Sequence, residues 1–153
     1  MTVVAGIDGS PVSDLVVTKA IEQARWKETD VHLVFVSYLP LAYTEAVIDW
    51  DQVLEAQRES VWRKLMSIID DADVEVRLVD LDGYPPDTLV DYANDTEADL
   101  LVVGTRGRGE LASLVLGSTS HRAIHLARCD VLVVKAPETE DWSSDGDSGG
   151  GDQ

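Results

Sequence analysis

Gly104-Thr105-Arg106-Gly107-Arg108-Gly109 directly follows an apolar run, and further on Gly117-Ser118-Thr119-Ser120 opens a segment with helical spacing. Glycines let a backbone turn with positive φ and approach a ligand closely, and the N–H groups of a helix start, joined by Ser and Thr hydroxyls, form an anion site. Arg106 and Arg108 could add charge-assisted hydrogen bonds to phosphate oxygens. Neither Gly-x-x-x-x-Gly-Lys-Ser/Thr nor Gly-x-Gly-x-x-Gly occurs in the context it requires, which excludes a Walker loop and a dinucleotide fingerprint. Asp8 closes the first apolar run just before Gly9-Ser10-Pro11. An acid there is either a turn former or a ligand in a crevice.

Other reactive side chains are less organised. His121 and His125 are four apart on one helical segment, yet no Glu follows His121 and no third ligand is near in sequence, so a solvated face is expected. His32 falls in an apolar run and reads as a tolerated polar position. Asp80 and Lys135, at the ends of two apolar runs, are where a phosphoacceptor receiver domain would need them, but Asp8 is followed by Gly9 and not by a second acid. No Gly-x-Ser-x-Gly stands between an apolar run and a helical segment, as a nucleophile elbow requires, and no Cys-His signature is visible.

The elements that must position these residues follow from periodicity. Apolar runs Thr2 to Ile7, Val31 to Ser37, Val74 to Val79, Leu100 to Gly104 and Val131 to Lys135 have strand lengths and are rich in Val, Leu and Ile. Between the first two, Val16, Val17, Ala20, Ile21 and Ala24 share a helical face, with Ser10 and Pro11 as the N-cap and first-turn pair. A second helix from about Asp49 to Asp71 collects Leu54, Val61, Leu65, Ile68 and Ile69; Pro86 starts a third, and Ser118 caps a fourth. The alternation predicts one doubly wound α/β domain, a five-stranded parallel sheet with helices on both faces.

Strand order follows from how each run is patterned. Val3-Val4-Ala5 and Leu100-Leu101-Val102-Val103 are continuous, as strands buried on both faces must be, whereas Val74-Glu75-Val76-Arg77-Leu78 alternates like an exposed edge. This predicts the order 3-2-1-4-5 over 2-1-3-4-5 and places the topological switch between strands 1 and 4, where Asp8 and Gly104 would flank one crevice. The last strand is then an edge, and its apolar run needs cover, by a local helix or by a two-fold partner. A partner is the preferred reading.

Composition bounds the class. With 153 residues the chain suits one domain, able to bury roughly two thirds of its unfolded surface without disulfide or structural metal. The single cysteine, Cys129, cannot form an internal bridge and suits a reducing cytoplasm. Neither a membrane span nor a signal peptide is predicted. The formal net charge is −17, from 29 acids and 12 bases, so partners rich in phosphate, such as nucleic acid or an anionic membrane face, would be repelled. Residues 138–153 hold six acids and no base, so residues 1–137 still carry −11. The segment 137–153 reads as a disordered, acidic, Gly/Ser-rich tail behind a domain spanning 1–136.

Gly104, two residues, Gly107, nine residues and then Gly117-Ser118 resembles the nucleotide-binding signature of the universal stress protein family. The opening Val-Ala-Gly-Ile-Asp-Gly-Ser, Gly83-Tyr84-Pro85, the run from Asp99 to Gly109 and Cys129-Asp130-Val131-Leu132-Val133-Val134-Lys135 agree with it. The resemblance implies a stress-response protein with an ATP or AMP site; Mg²⁺ bridging the phosphates would relieve their repulsion by Asp8, and with no lysine in the loop and no clear residue to activate water, hydrolysis should be slow at most. The protein would present a nucleotide-dependent surface as a homodimer paired through Val131 to Lys135. Carried over residue by residue, it implies Asp8 beside the ribose and phosphates and Val36 reading the adenine edge through its backbone. Val103, Gly104, Arg106 and Gly107 would line the nucleotide, and Gly117, Ser118, Thr119 and Ser120 would hold the phosphate chain. Gly6 departs from the pattern, standing where some members have proline. The competing readings are the receiver domain and a dimeric module whose crevice takes no nucleotide.

The surplus of acid is either that of an ordinary acidic protein or an adaptation to a multimolar-salt cytosol, where screening over about 3 Å makes self-repulsion tolerable. On the high-salt reading, thermal melts should rise from low to multimolar KCl. A melting temperature independent of salt over that range would contradict it.

Overall fold

The computed structural model describes residues 1–39, 48–105 and 116–135. In chain order they form β1 (Thr2–Ile7), α1 (Ser13–Lys27), β2 (Asp30–Ser37), α2 (Trp50–Asp70), β3 (Val76–Asp82), α3 (Pro85–Asp95), β4 (Leu100–Gly104), α4 (Ser118–Leu126) and β5 (Asp130–Val134). The five strands pair in parallel in the order β3-β2-β1-β4-β5, as the edge pattern of the third run predicts.

Strand periodicity sends alternate residues of β1 to opposite cores. Val3, Ala5 and Ile7 pack with Val16, Val17, Ala20 and Ile21 of α1 and with Val61 and Leu65 of α2. Val4 packs on the other face with Leu89, Val90 and Ala93 of α3 and Ala123 of α4. Full burial of a Val, Leu or Ile side chain contributes about 1.5 to 3 kcal/mol, which is why the central strands contain so little polar sequence.

The element boundaries depart from expectation where polar side chains intervene. Helix α1 begins three residues after Ser10, with Val12 as its N-cap, because the Asp8 carboxylate accepts the Ser10 N–H at 2.9 Å and holds that residue in a turn. Within this turn Gly9 has φ 77°, and a Cβ there would stand 2.8 Å from Val61 Cγ2 of α2, so both the backbone and the packing require glycine. Helix α3 starts at Pro85 behind Tyr84, and α4 at Ser118 behind Gly117, each displaced by one residue. Strand β3 runs on to Asp82, pairing with β2 up to Ser37, although its last residues include Asp80 and Asp82. Donors on α2 account for this: Trp62 Nε1–H reaches Asp80 at 2.9 Å and Arg58 reaches Asp82 at 2.5 Å.

The foot of the sheet holds a polar cluster that hydropathy does not reveal. His32, 7% exposed, donates from Nε2 to Asp30 Oδ2 at 3.0 Å and pairs through Nδ1 with the Tyr92 hydroxyl at 2.9 Å. The carboxylate can only accept, so Nε2 carries a proton. Burial alone would push the Asp30 carboxyl up, but hydrogen bonds from Thr2 and His32 outweigh it and hold the group below the usual carboxylate range. A depressed folded-state value stabilises the fold above the unfolded value, and that contribution is lost as pH falls through the folded one. Thr2→Val removes one of the donors, so the Asp30 carboxyl should titrate at higher pH. Carbon-detected NMR titration should show this rise, together with acid unfolding that begins at higher pH.

Candidate functional site

Six residue pairs join β1 to β2, from Thr2↔Asp30 to Ile7↔Phe35, but only three join β1 to β4, ending at Ala5↔Val102. Beyond that pair Gly6 and Ile7 stay with β2, while Val103 and Gly104 stay with β5. The carboxyl ends of β1 and β4 therefore part, at the switch point of the sheet. A cleft opens there. Gly6, Ile7 and Asp8 of β1 and its turn, Val34 and Val36 of β2, and Val103 and Gly104 of β4 line it, with Val12, Ser13 and Val16 from α1, Pro85 and Leu89 from α3, and Thr119 from α4. Its walls are mainly aliphatic, with Asp8, Ser13 and Thr119 as the polar side chains among them, a composition suited to a flat apolar ring carrying a polar tail.

Asp8 is a turn former that also stands on the cleft wall. Its Oδ1 accepts the Ser10 N–H at 2.9 Å and the Ser13 hydroxyl at 3.2 Å, while the Asp8 N–H donates to Ser13 Oγ at 3.3 Å. The carboxylate is thereby a turn former held against the start of α1, and it also lines the cleft.

The opposite side is built from α4. Thr105 N–H donates to the Val134 carbonyl at 2.9 Å, and Gly117 N–H donates to the Thr105 carbonyl at 2.5 Å, which ties the start of the helix to the end of β4. The first regular helical bond is from His121 N–H to the Gly117 carbonyl at 2.9 Å. The positive end of the helix dipole thus lies beside the cleft, the electrostatics that favour a bound anion.

Among the residues singled out from sequence, Asp8, Val36, Val103, Gly104 and Thr119 meet in this one cleft. Gly117 and Ser118 line an adjoining depression with Tyr84, Pro86, Asp87, His121 and Arg122. Ser120 is fully buried and donates its hydroxyl to the Gly117 carbonyl at 3.0 Å, so its side chain belongs to the helix turn. Arg106 and Gly107 lie outside the described residues, as does the segment 137–153. The positive φ expected of the loop glycines is not found at Gly104 or Gly117: among the described residues only Gly9 and Gly83 are glycines with positive φ, and Gly117 has φ −75° and ψ 170°. Close approach, rather than backbone angle, is what a glycine at 117 permits.

Ser13 and Leu89 line the cleft without a motif to announce them, and Pro85, which closes the Gly83-Tyr84-Pro85 motif, joins them. The available signal was topological, since α1 and α3 both start at the carboxyl edge where the cleft opens. His121 and His125 stand on an exposed helix face with ring centroids 4.6 Å apart. The receiver arrangement is overturned by the sheet itself. Asp80 is on β3 and Lys135 follows β5, the two opposite edges, which are about 19 Å apart at the usual strand spacing.

Comparison with known proteins agrees with this geometry. The model of the universal stress protein family matches residues 1–135. A universal stress protein of Methanocaldococcus jannaschii is 31% identical over 142 residues, covering 90% of this chain and 84% of the relative. One from Mycobacterium tuberculosis is 34% identical over 139 residues and 87% of this chain, which spans 45% of that longer relative. A crystal structure of a universal stress protein in complex with cAMP is 26% identical with TM-score 0.68, covering 88% of this chain and 96% of that one. The Archaeoglobus fulgidus universal stress protein in complex with dAMP is 25% identical with TM-score 0.65, covering 88% and 98%. With the family model matched across all five strands, and the cleft standing where β1 and β4 part, the chain belongs to the universal stress protein family.

Proposed function

We propose that this protein binds an adenine nucleotide, ATP or AMP, in the cleft between β1 and β4 and presents a nucleotide-dependent surface to other proteins in the cytoplasm. The observation that carries the reading is the convergence of Asp8, Val36, Val103, Gly104 and Thr119 on one aliphatic cleft beside the start of α4. Relatives solved with cAMP and dAMP support an adenylate as the ligand class.

In this reading the base lies among the aliphatic walls with its edge read by the Val36 backbone, and Val103 and Gly104, with Arg106 and Gly107, line the nucleotide. Asp8 accepts from ribose hydroxyls or acts through Mg²⁺. The phosphates lie toward Gly117, Ser118 and Thr119, with Ser120 contributing through the backbone of the same helix turn. Among the described residues no cluster of three His, Cys, Asp or Glu side chains is built for a metal, so in this reading a Mg²⁺ would be held chiefly by the phosphates and its own waters, with Asp8 as the carboxylate on the cleft wall. When bound, that ion would neutralise phosphate charge near Asp8. The segment from Gly104 to Gly117 contains no lysine, and no side chain stands out to activate water, so hydrolysis is slow at most.

Calorimetry tests the site. Gly117→Val should abolish ATP binding by placing a branched side chain where the phosphates approach. Ser118→Ala should weaken it roughly ten- to a hundredfold, since a hydrogen bond to a charged group is worth about 1.5 to 3 kcal/mol. Asp8→Asn separates its two roles: a loss seen only with Mg²⁺ assigns the carboxylate to the ion, and a loss that persists with chelator assigns it to the ribose. Wild type binding no tighter than Gly117→Val at matched salt would sink the reading.

The fifth strand supports the dimer. Val131, Leu132 and Val133 of the edge strand β5 are each only half-buried, an apolar edge that a two-fold partner would cover by pairing along Val131 to Lys135. Val133→Lys puts a charge into that seam and should dissociate or aggregate the protein. Light scattering that finds the wild type monomeric at tens of micromolar would end the proposal.

A further inference from the structure

Gly6 is glycine for a reason unconnected with backbone conformation. It lies within β1, outside the positive-φ glycines, and pairs with Val34 of β2 as any strand residue would. What it lacks is room: a Cβ at this position would stand 2.3 Å from Leu89 Cδ2 and 3.4 Å from Leu89 Cδ1 and Cγ. The leucine rests directly on bare backbone at the bottom of the cleft that both residues line.

Leu89 has little freedom to sit elsewhere. It is 3% exposed in a core cluster with Val4, Val34, Val90 and Val103, themselves 0 to 2% exposed, so the core side is filled at close-packed density. Its helix is also fixed at its start, since the Gly83 N–H donates to the Ser37 carbonyl at 3.0 Å and the Thr88 N–H to the Tyr84 carbonyl at 3.0 Å. A leucine lifted off the sheet by even one methyl group therefore moves toward the open space of the cleft.

We propose that Gly6 and Leu89 form a steric pair that sets the depth of the base end of the cleft, Leu89 seated on the bare β1 backbone so that a purine-sized ring fits above it. The inference rests on the nucleotide reading given above and assigns the pair to the base, apart from the phosphate end at Gly117 and Ser118. Loss of fit therefore falls on the nucleoside part of the ligand, whatever phosphates it carries.

The test compares adenosine with ATP by calorimetry. Gly6→Ala should weaken both by the same factor, about tenfold or more, the effect of one methyl group in a close-fitting apolar pocket. Shortening the partner in Gly6→Ala/Leu89→Val should recover most of that loss. Leu89→Phe on the native glycine fills the same space from the other side and should reproduce the loss without altering β1. Methyl NOEs give a readout independent of ligand: in Gly6→Ala the Leu89 methyls should move away from Val34 and toward Thr119. Full adenosine affinity in folded Gly6→Ala, or in Leu89→Phe, overturns the proposal, as does a loss confined to ATP or a double variant no better than Gly6→Ala. A wild type that binds neither adenosine nor ATP would instead overturn the nucleotide reading, and the NOEs would still decide whether Gly6 seats Leu89.

Discussion

The parting of β1 from β4 after the pair Ala5↔Val102 is the constraint on which the rest of the site depends. Both strands are interior and buried on both faces, so their backbones have no solvent to turn to except at the ends. From β1 the chain leaves through α1 to reach β2 on one side, and from β4 it leaves through α4 to reach β5 on the other. Connections that diverge in this way leave the space above the two strands without a covering helix. Every polar group on the cleft wall is then set by one of those two exits: Asp8 and Ser13 by the turn into α1, Thr119 by the start of α4. Gly9 completes the first exit, since its left-handed backbone and lack of a side chain let the turn pass beneath Val61 of α2.

Three of the twelve cations of this acidic chain join one element to another. Arg25 of α1 grips Asp73 beyond the end of α2 at 2.7 Å, Arg58 of α2 reaches Asp82 of β3, and Arg122 of α4 pairs with Asp87 of α3 at 2.7 Å. The Arg25 guanidinium holds the Asp73 carboxyl below its usual range, largely through the hydrogen bond itself. Pairs this exposed add little stability, so their contribution is to orientation more than to the free energy of folding. The acids left over repel one another over the surface. Salt acts on that repulsion, while the apolar cores beneath are indifferent to screening.

Much of this was legible in the sequence because it depends on burial. The continuous runs Val3-Val4-Ala5 and Leu100 to Val103 mark the two interior strands, and their central place in the sheet locates the cleft between Asp8 and Gly104. What stayed hidden depends on side chains meeting across the fold. Nothing in the order of residues shows that Asp80 and Asp82 extend β3 because Trp62 and Arg58 lie above them, or that His32 is satisfied by Asp30 and Tyr92. Leu89 was hidden for the same reason. Its own periodicity marks it as core, and only its contact with Gly6, 83 residues earlier, makes it part of the cleft floor.

The alternating third strand decides more than its own position. With the order 2-1-3-4-5 the same five strands would bring β3 into the middle of the sheet, and Asp80 would stand at the carboxyl edge beside β1, facing the crevice as a receiver's phosphoacceptor must. In the order found, β3 lies at the margin, Asp80 accepts from the Trp62 indole, and Lys135 stands beyond the far edge. One acidic residue cannot serve a centre that two intervening strands separate from it. The half-exposed pattern that makes β3 tolerable as an edge therefore also removes the phosphoacceptor chemistry, and it leaves Asp8 as the acid that meets the cleft between the interior strands.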